Sequence, residues 1–113
     1  MPTTTELYDE ADKLKDAGDL DAAVAKLHEA LELDADYALG HSALAVVEQR
    51  RGNHEKAIEH AKRVTELQPD DAFSFTALSV TYQRAYAGMG EMSYIQLAED
   101  AMAKSREVEM NRG

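Results

Sequence analysis

The chain has no cysteine, only two prolines and only six glycines in 113 residues. Without cysteine there is no disulfide, no zinc–thiolate site and no cysteine nucleophile. Helix breakers are few, and β-branched and aromatic residues are sparse beside Ala, Leu, Glu, Lys and Asp. That balance favours helix over strand. No apolar run approaches the length of a membrane span. The N-terminus "MPTTTELYDEADKL" lacks both the basic start and the apolar stretch of a secretory signal, so the cytoplasm is the expected location.

Basic residues are also scarce, and the formal net charge is −10. The excess is local. Residues 1–36 carry eleven acids against Lys13, Lys15 and Lys26, whereas the remaining residues carry eleven acids against nine bases. No basic field covers the surface, which argues against nucleic acid and against an anionic membrane as partners. Apolar residues make up 44% and charged residues 30%, the composition of a folded chain. The length suits one small domain, residues 1–113.

What is present is a repeat. At an offset of 34, "AGDLDAAVAKLHEALELDADYA" (Ala17–Ala38) falls on "RGNHEKAIEHAKRVTELQPDDA" (Arg51–Ala72). Gly18 meets Gly52, Asp19 meets Asn53, Ala23 meets Ala57, Leu33 meets Leu67 and Ala35 meets Pro69. A second shift brings Ala38 onto Ala72, His41 onto Phe75 and Leu44 onto Leu78. Within the middle unit Leu44, Val47 and the Arg51 stem recur at helical spacing, widened by Ala45. Ala57, Ile58, Ala61, Val64 and Leu67 do the same on a second helix. Gly52 suits the left-handed end of the first helix, Asn53 can cap the second, and Pro69 follows its exit.

This period and pattern resemble the tetratricopeptide repeat family. The middle unit carries His41, Leu44, Ala45, Glu48, Ala57, Ala61 and Pro69 at the family's positions. The third carries Phe75, Leu78, Ser79, Tyr82, Ala98 and Met102; the first carries Leu7, Glu10, Ala11, Leu14, Ala23, Leu27 and Ala35. Glu10 and Glu48 depart from it, standing where large apolar residues are usual, and Ala61 replaces a larger residue. The resemblance implies an all-α fold: a right-handed α-α superhelix, or solenoid, of three helix-turn-helix repeats at about 4–37, 38–71 and 72–112. Six helices are expected at about 4–17, 20–34, 37–51, 54–67, 71–87 and 94–110. The first helix of each pair would line a concave face.

The stretch "AYAGMGEMSYIQLA" (Ala85–Ala98) breaks the period. Tyr86 stands where Gly52 predicts a glycine, and the small residue matching Ala57 arrives only at Ala98, seven residues late. Gly88 and Gly90 offer late stops for a longer first helix. Ser93-Tyr94-Ile95-Gln96 fits a capping box for the second, with Gly90 as a weaker and earlier start. The third hairpin should therefore project roughly 5 Å beyond its neighbours, one helical turn. Tyr86, Met89, Met92, Tyr94 and Ile95 either grip a partner there or pack the longer hairpin together. Gly88-Met89-Gly90 lacks the further glycines, lysine and strand of a phosphate loop.

Catalytic chemistry finds no support. His28, His41, His54 and His60 include no i, i+4 pair and no HExxH pattern, so they read as solvated polar residues, with no metal. No serine sits in a nucleophile elbow. No cofactor is implied, and an enzyme is not expected.

The concave face should carry Thr5, Tyr8, Asp12, Lys15 and Asp16, then Leu39, Ser42, Val46, Gln49 and Arg50, then Phe73, Thr76, Val80, Gln83 and Arg84. Its first half is polar and acidic. Its second half is apolar, with Arg50 and Arg84 spaced 34 apart so that they could share a carboxylate. Some family members hold chaperone C-termini with a clamp of Lys, Asn and Arg. The matching places here hold Tyr8, Asp12, Ala43, Phe73 and Ala77, so that clamp is absent. The expected function is a scaffold binding a protein partner's peptide or helix through Tyr8, Leu39, Val46, Gln49, Arg50, Phe73, Val80, Gln83 and Arg84. The alternative is a homo-oligomeric assembly subunit, a homodimer in the simplest case, using Tyr86, Met89, Met92, Tyr94 and Met102. The only partly polar face of Ala98, Met102, Ser105 and Glu109 motivates it.

Overall fold

The computed structural model describes residues 1–112; the last residue of the expected domain, Gly113, lies outside them. Six helices follow one another: α1 (Thr4–Asp16), α2 (Leu20–Leu33), α3 (Ala38–Arg50), α4 (His54–Leu67), α5 (Ala72–Met89) and α6 (Ser93–Arg112). Every boundary falls within two residues of the spacing-based expectation.

The helices pair as α1/α2, α3/α4 and α5/α6, and each pair stacks on the next through α2/α3 and α4/α5. Among the described residues, α1 also reaches α3 and α3 reaches α5, while α2, α4 and α6 do not meet one another. The odd-numbered helices therefore converge and line the inside of the curve. The thinnest dimension of the molecule is 20 Å, the depth of two helix layers at roughly 10 Å each.

Local chemistry sets the ends. Thr3 and Glu6 form a reciprocal capping box at α1, each accepting from the other's backbone N–H at 3.1 Å. Asp19 caps α2 and Asp71 caps α5. The first two turns repeat one geometry, in which Asp19 N–H donates to Leu14 O and Asn53 N–H to Glu48 O. This Schellman closure needs a left-handed residue, supplied by Gly18 (φ 85°) and Gly52 (φ 83°).

Asn53 does not cap α4 as expected. Its side-chain amide turns back to Glu48 Oε1 at 3.1 Å, because Glu48 is almost wholly buried and needs donors. Arg51 supplies the other, at 2.9 Å, and its second nitrogen reaches Asp21 of α2 at 3.1 Å. The acid that departs from the repeat pattern is thus a buried tie between two repeats.

Two apolar clusters lie along the solenoid. The first holds Ala11, Ala23, Leu27, Leu44 and Val47; the second holds Ala45, Ile58, Ala61, Leu78, Tyr82, Ala85, Ala98 and Ala101. Helix α3 serves both, with Leu44 and Val47 turned one way and Ala45 the other. The alanines let neighbouring helices approach closely.

The seven inserted residues all become helix. The loop Gly90–Met92 is as short as its counterpart Arg51–Asn53. Five of the seven lengthen α5, which has 18 residues against 13 in α3, and the other two start α6 early. At 1.5 Å per residue α5 gains about 7.5 Å and α6 about 3 Å, on average about one turn. Gly90 ends α5 in the left-handed conformation, while Gly88 stays inside the helix. The expected capping box does not form: Ser93 is already the first residue of α6, too late to be its cap.

A two-compartment groove as the candidate functional site

The concave face holds two adjoining hollows that share Ser42 and Val46. The smaller, about 110 Å³, lies between α1 and α3 and is lined by Tyr8, Asp12 and Lys15 with Ala11, Leu27, Ala43 and Val47. Asp12 and Lys15 pair with each other at 3.0 Å. Tyr8 stands edge-on to Tyr37, with ring centroids 6.4 Å apart.

The larger hollow, about 450 Å³, opens between α3 and α5. Leu39, Val46, Phe73 and Val80 form its apolar wall, with Ala61 and Val64 of α4 beneath. All four wall residues are exposed, and Phe73 retains 78% of its surface. Arg84 borders the hollow and donates to Gln49 Oε1 at 3.1 Å.

The structure therefore gathers Leu39, Val46, Gln49, Phe73, Val80 and Arg84 around one cavity, and places Tyr8 at the other. Arg50 is exposed and stands outside both linings. Gln83 lines a different cleft and donates to Ser79 Oγ at 3.2 Å. That cleft, about 480 Å³, lies on the far side of the last hairpin with Tyr86, Ile95, Ala98, Glu99 and Met102. Met89 and Met92 are exposed at the tip. Tyr94 turns inward, stacking at a tilt on Tyr82 with centroids 5.9 Å apart. Burial, and secondarily Tyr94, raises the Tyr82 phenol above its ordinary value.

The histidines are not all solvated. His41 is buried, His60 is half-buried, and their Nδ1 atoms are 3.0 Å apart. His28 lies alongside, with its ring centroid 6.2 Å from that of His60. Burial first, then His41 and His28, holds His60 below the ordinary imidazole value, against the opposing pull of Glu48 and Glu59. A signal was present. His41 precedes Leu44 by three residues and His60 precedes Val64 by four, so both extend buried stripes. Among the described residues, no group of three or more His, Asp or Glu is disposed to hold a metal ion. No described helix is long and apolar enough to cross a membrane.

Comparison with known proteins agrees with this geometry. No curated protein matches the chain in sequence. Among solved structures, the crystal structure of MamA superposes with a TM-score of 0.81 at 23% identity, over 97% of this chain and 60% of that one. The chain thus spans about three-fifths of MamA's length, and at this identity the likeness speaks for the fold. A family model described as Tetratricopeptide repeat matches residues 14–78, more than half of the chain. With the helix pairs, the glycine turns and this match in hand, the chain belongs to the tetratricopeptide repeat family.

Proposed function

We propose that this chain, a member of a family whose repeats generally bind proteins, is a non-catalytic scaffold. It holds an apolar, carboxylate-bearing peptide or helix of a partner between α3 and α5. The observation that carries this is the contiguous exposed wall of Leu39, Val46, Phe73 and Val80 beside Arg84. Single exposed apolar residues are ordinary, but a continuous patch along a concave surface is a binding feature. Arg51, Arg63 and Arg112 are ion-paired. Among the described residues Arg84 has only the neutral Gln49, so it remains available to a partner's carboxylate.

The test uses immobilised apolar peptides with free or amidated C-termini. The wild type should prefer the free carboxylate. Arg84→Glu should weaken binding about tenfold or more, equivalent to about 1.4 kcal/mol. Affinity that is indifferent to this change and to Phe73→Ser would overturn the reading.

A second reading, self-association through the last hairpin, is favoured by one observation. Tyr86, Ile95 and Met102 line an open cleft while Met89, Met92 and Leu97 stand exposed nearby. Ile95→Asp and Met102→Asp test it, since Tyr94 packs inside and its replacement would disturb the core. A monomeric mass by light scattering at high concentration would dismiss it.

A further inference from the structure

We propose that His41 and His60, with the exposed His28 beside them, form a pH-sensitive latch across the junction of the first two repeats, closed while the pair is neutral and loosened on protonation. The side chains of His28, His41 and His60 come from α2, α3 and α4 respectively. The hydrogen bonds of His41 and His60 leave one arrangement of protons for a neutral pair. His41 Nε2 lies 2.9 Å from the carbonyl oxygen of Ala35. A carbonyl only accepts, so Nε2 carries the hydrogen. A neutral imidazole has one N–H, so His41 Nδ1 presents a lone pair. His60 Nδ1, 3.0 Å away, must then donate to it. The result is a relay from His60 to His41 to the turn joining α2 and α3. It ties α4 to the boundary between repeats.

Protonation works against this arrangement. A proton on His60 Nε2 leaves the bond in place but puts a cation in a half-buried site beside two other imidazoles. A further proton on His41 makes both Nδ1 atoms donors, and the bond is lost. The surrounding acids offer little compensation. Glu48 of α3 is already held by Arg51 and Asn53. Asp36, beside Ala35, is paired with Arg63 of α4 at 2.8 Å. Glu59 of α4 is exposed.

The sign follows from linkage. Folded His60 takes up protons less readily than the same residue in the unfolded chain. Below about pH 6.5 the unfolded chain therefore binds more protons, and stability is lost as the pH falls. The latch also adjoins the larger hollow. Leu39 and Ser42 flank His41, Ala61 follows His60, and all three line that cavity.

The test is nitrogen-detected NMR of the imidazoles in the whole chain, with urea unfolding at about pH 7.5 and about pH 5.5. The expected tautomers are Nε2–H for His41 and Nδ1–H for His60, with His60 titrating below about 6.5. Shift changes during titration should centre on α2, α3 and α4. His60→Asn keeps a donor at the Nδ1 position but cannot titrate, so its urea midpoint should fall less than that of the wild type on acidification. His60 in the Nε2–H form, or titrating at or above about 6.5, would overturn the proposal. An equal response of wild type and His60→Asn would do the same. The tautomer and titration readings need only the wild type, so a variant that fails to fold does not rescue the idea.

Discussion

Gly88 of α5 lies directly against the imidazole of His54, the first residue of α4. A Cβ at position 88 would overlap His54 Nε2 and stand 3.0 Å from both Cδ2 and Cε1. A glycine fits inside the helix here because the lengthened α5 passes over the start of α4. Gly88→Ala removes a helix-interior glycine, worth up to about 1 kcal/mol, but meets the ring. In the wild type the His54 ring must turn aside, so that gain should be largely cancelled. In a His54→Ala background the same change should stabilise by about 0.5–1 kcal/mol. A double-mutant cycle by urea unfolding checks this, and equal effects in both backgrounds would show that the contact carries no energy.

The buried Glu48 makes a second prediction. Its carboxylate is held by Arg51 and Asn53, and Arg51 extends the tie to Asp21. Arg51→Ala leaves a buried acceptor short of a donor and should cost about 2 kcal/mol. Restoring an apolar residue in Glu48→Leu with Arg51→Ala should recover much of that loss, because a buried pair is often no better than well-packed apolar side chains. Thermal melts of the two variants distinguish the outcomes. If the double variant is no more stable than Arg51→Ala, the tie does more than satisfy Glu48.

Phe73 and Leu78 sit five residues apart on α5 and face opposite ways. Phe73 is exposed in the groove, whereas Leu78 is buried in the second cluster. Phe73→Ala should shift stability by no more than about 0.5 kcal/mol, while Leu78→Ala should cost about 2–5 kcal/mol. A large loss for Phe73→Ala would mean that it serves packing rather than the proposed partner.

Much of the fold was readable along the chain, because a helical hairpin repeat is built from local periodicity. The spacing of Leu44, Val47, Ala57 and Ala61, the turn residues Gly18 and Gly52, and the count of seven between Tyr86 and Ala98 depend on near neighbours only. They placed six helices to within two residues. Placing the inserted residues in helix rather than loop was harder. The Ser93–Gln96 pattern is a sound local cap, but α6 begins with Ser93 itself and the loop keeps the length of its counterpart.

The groove was partly legible for the same reason. Leu39, Val46, Phe73, Val80 and Arg84 share one helical face, and the repeat brings those faces together. Gln83 and Arg50 stand at the edges of that face, where a small rotation of the helix decides which surface a side chain joins. Tyr94 illustrates the same limit, since its place against Tyr82 depends on where α6 crosses α5.

From the sequence alone came the helix pairs, their period, the acidic first repeat and the apolar second half of the concave face. All of these arise from spacing within a helix or between adjacent repeats. Only the tertiary structure decided that Glu48 is a buried tie, that Gly88 lies against the His54 ring, and that the Nδ1 atoms of His41 and His60 meet at 3.0 Å. Each of those depends on two residues from different elements meeting at hydrogen-bond or van der Waals distance. No periodicity within one helix specifies such a meeting, because the crossing of the two helices sets it.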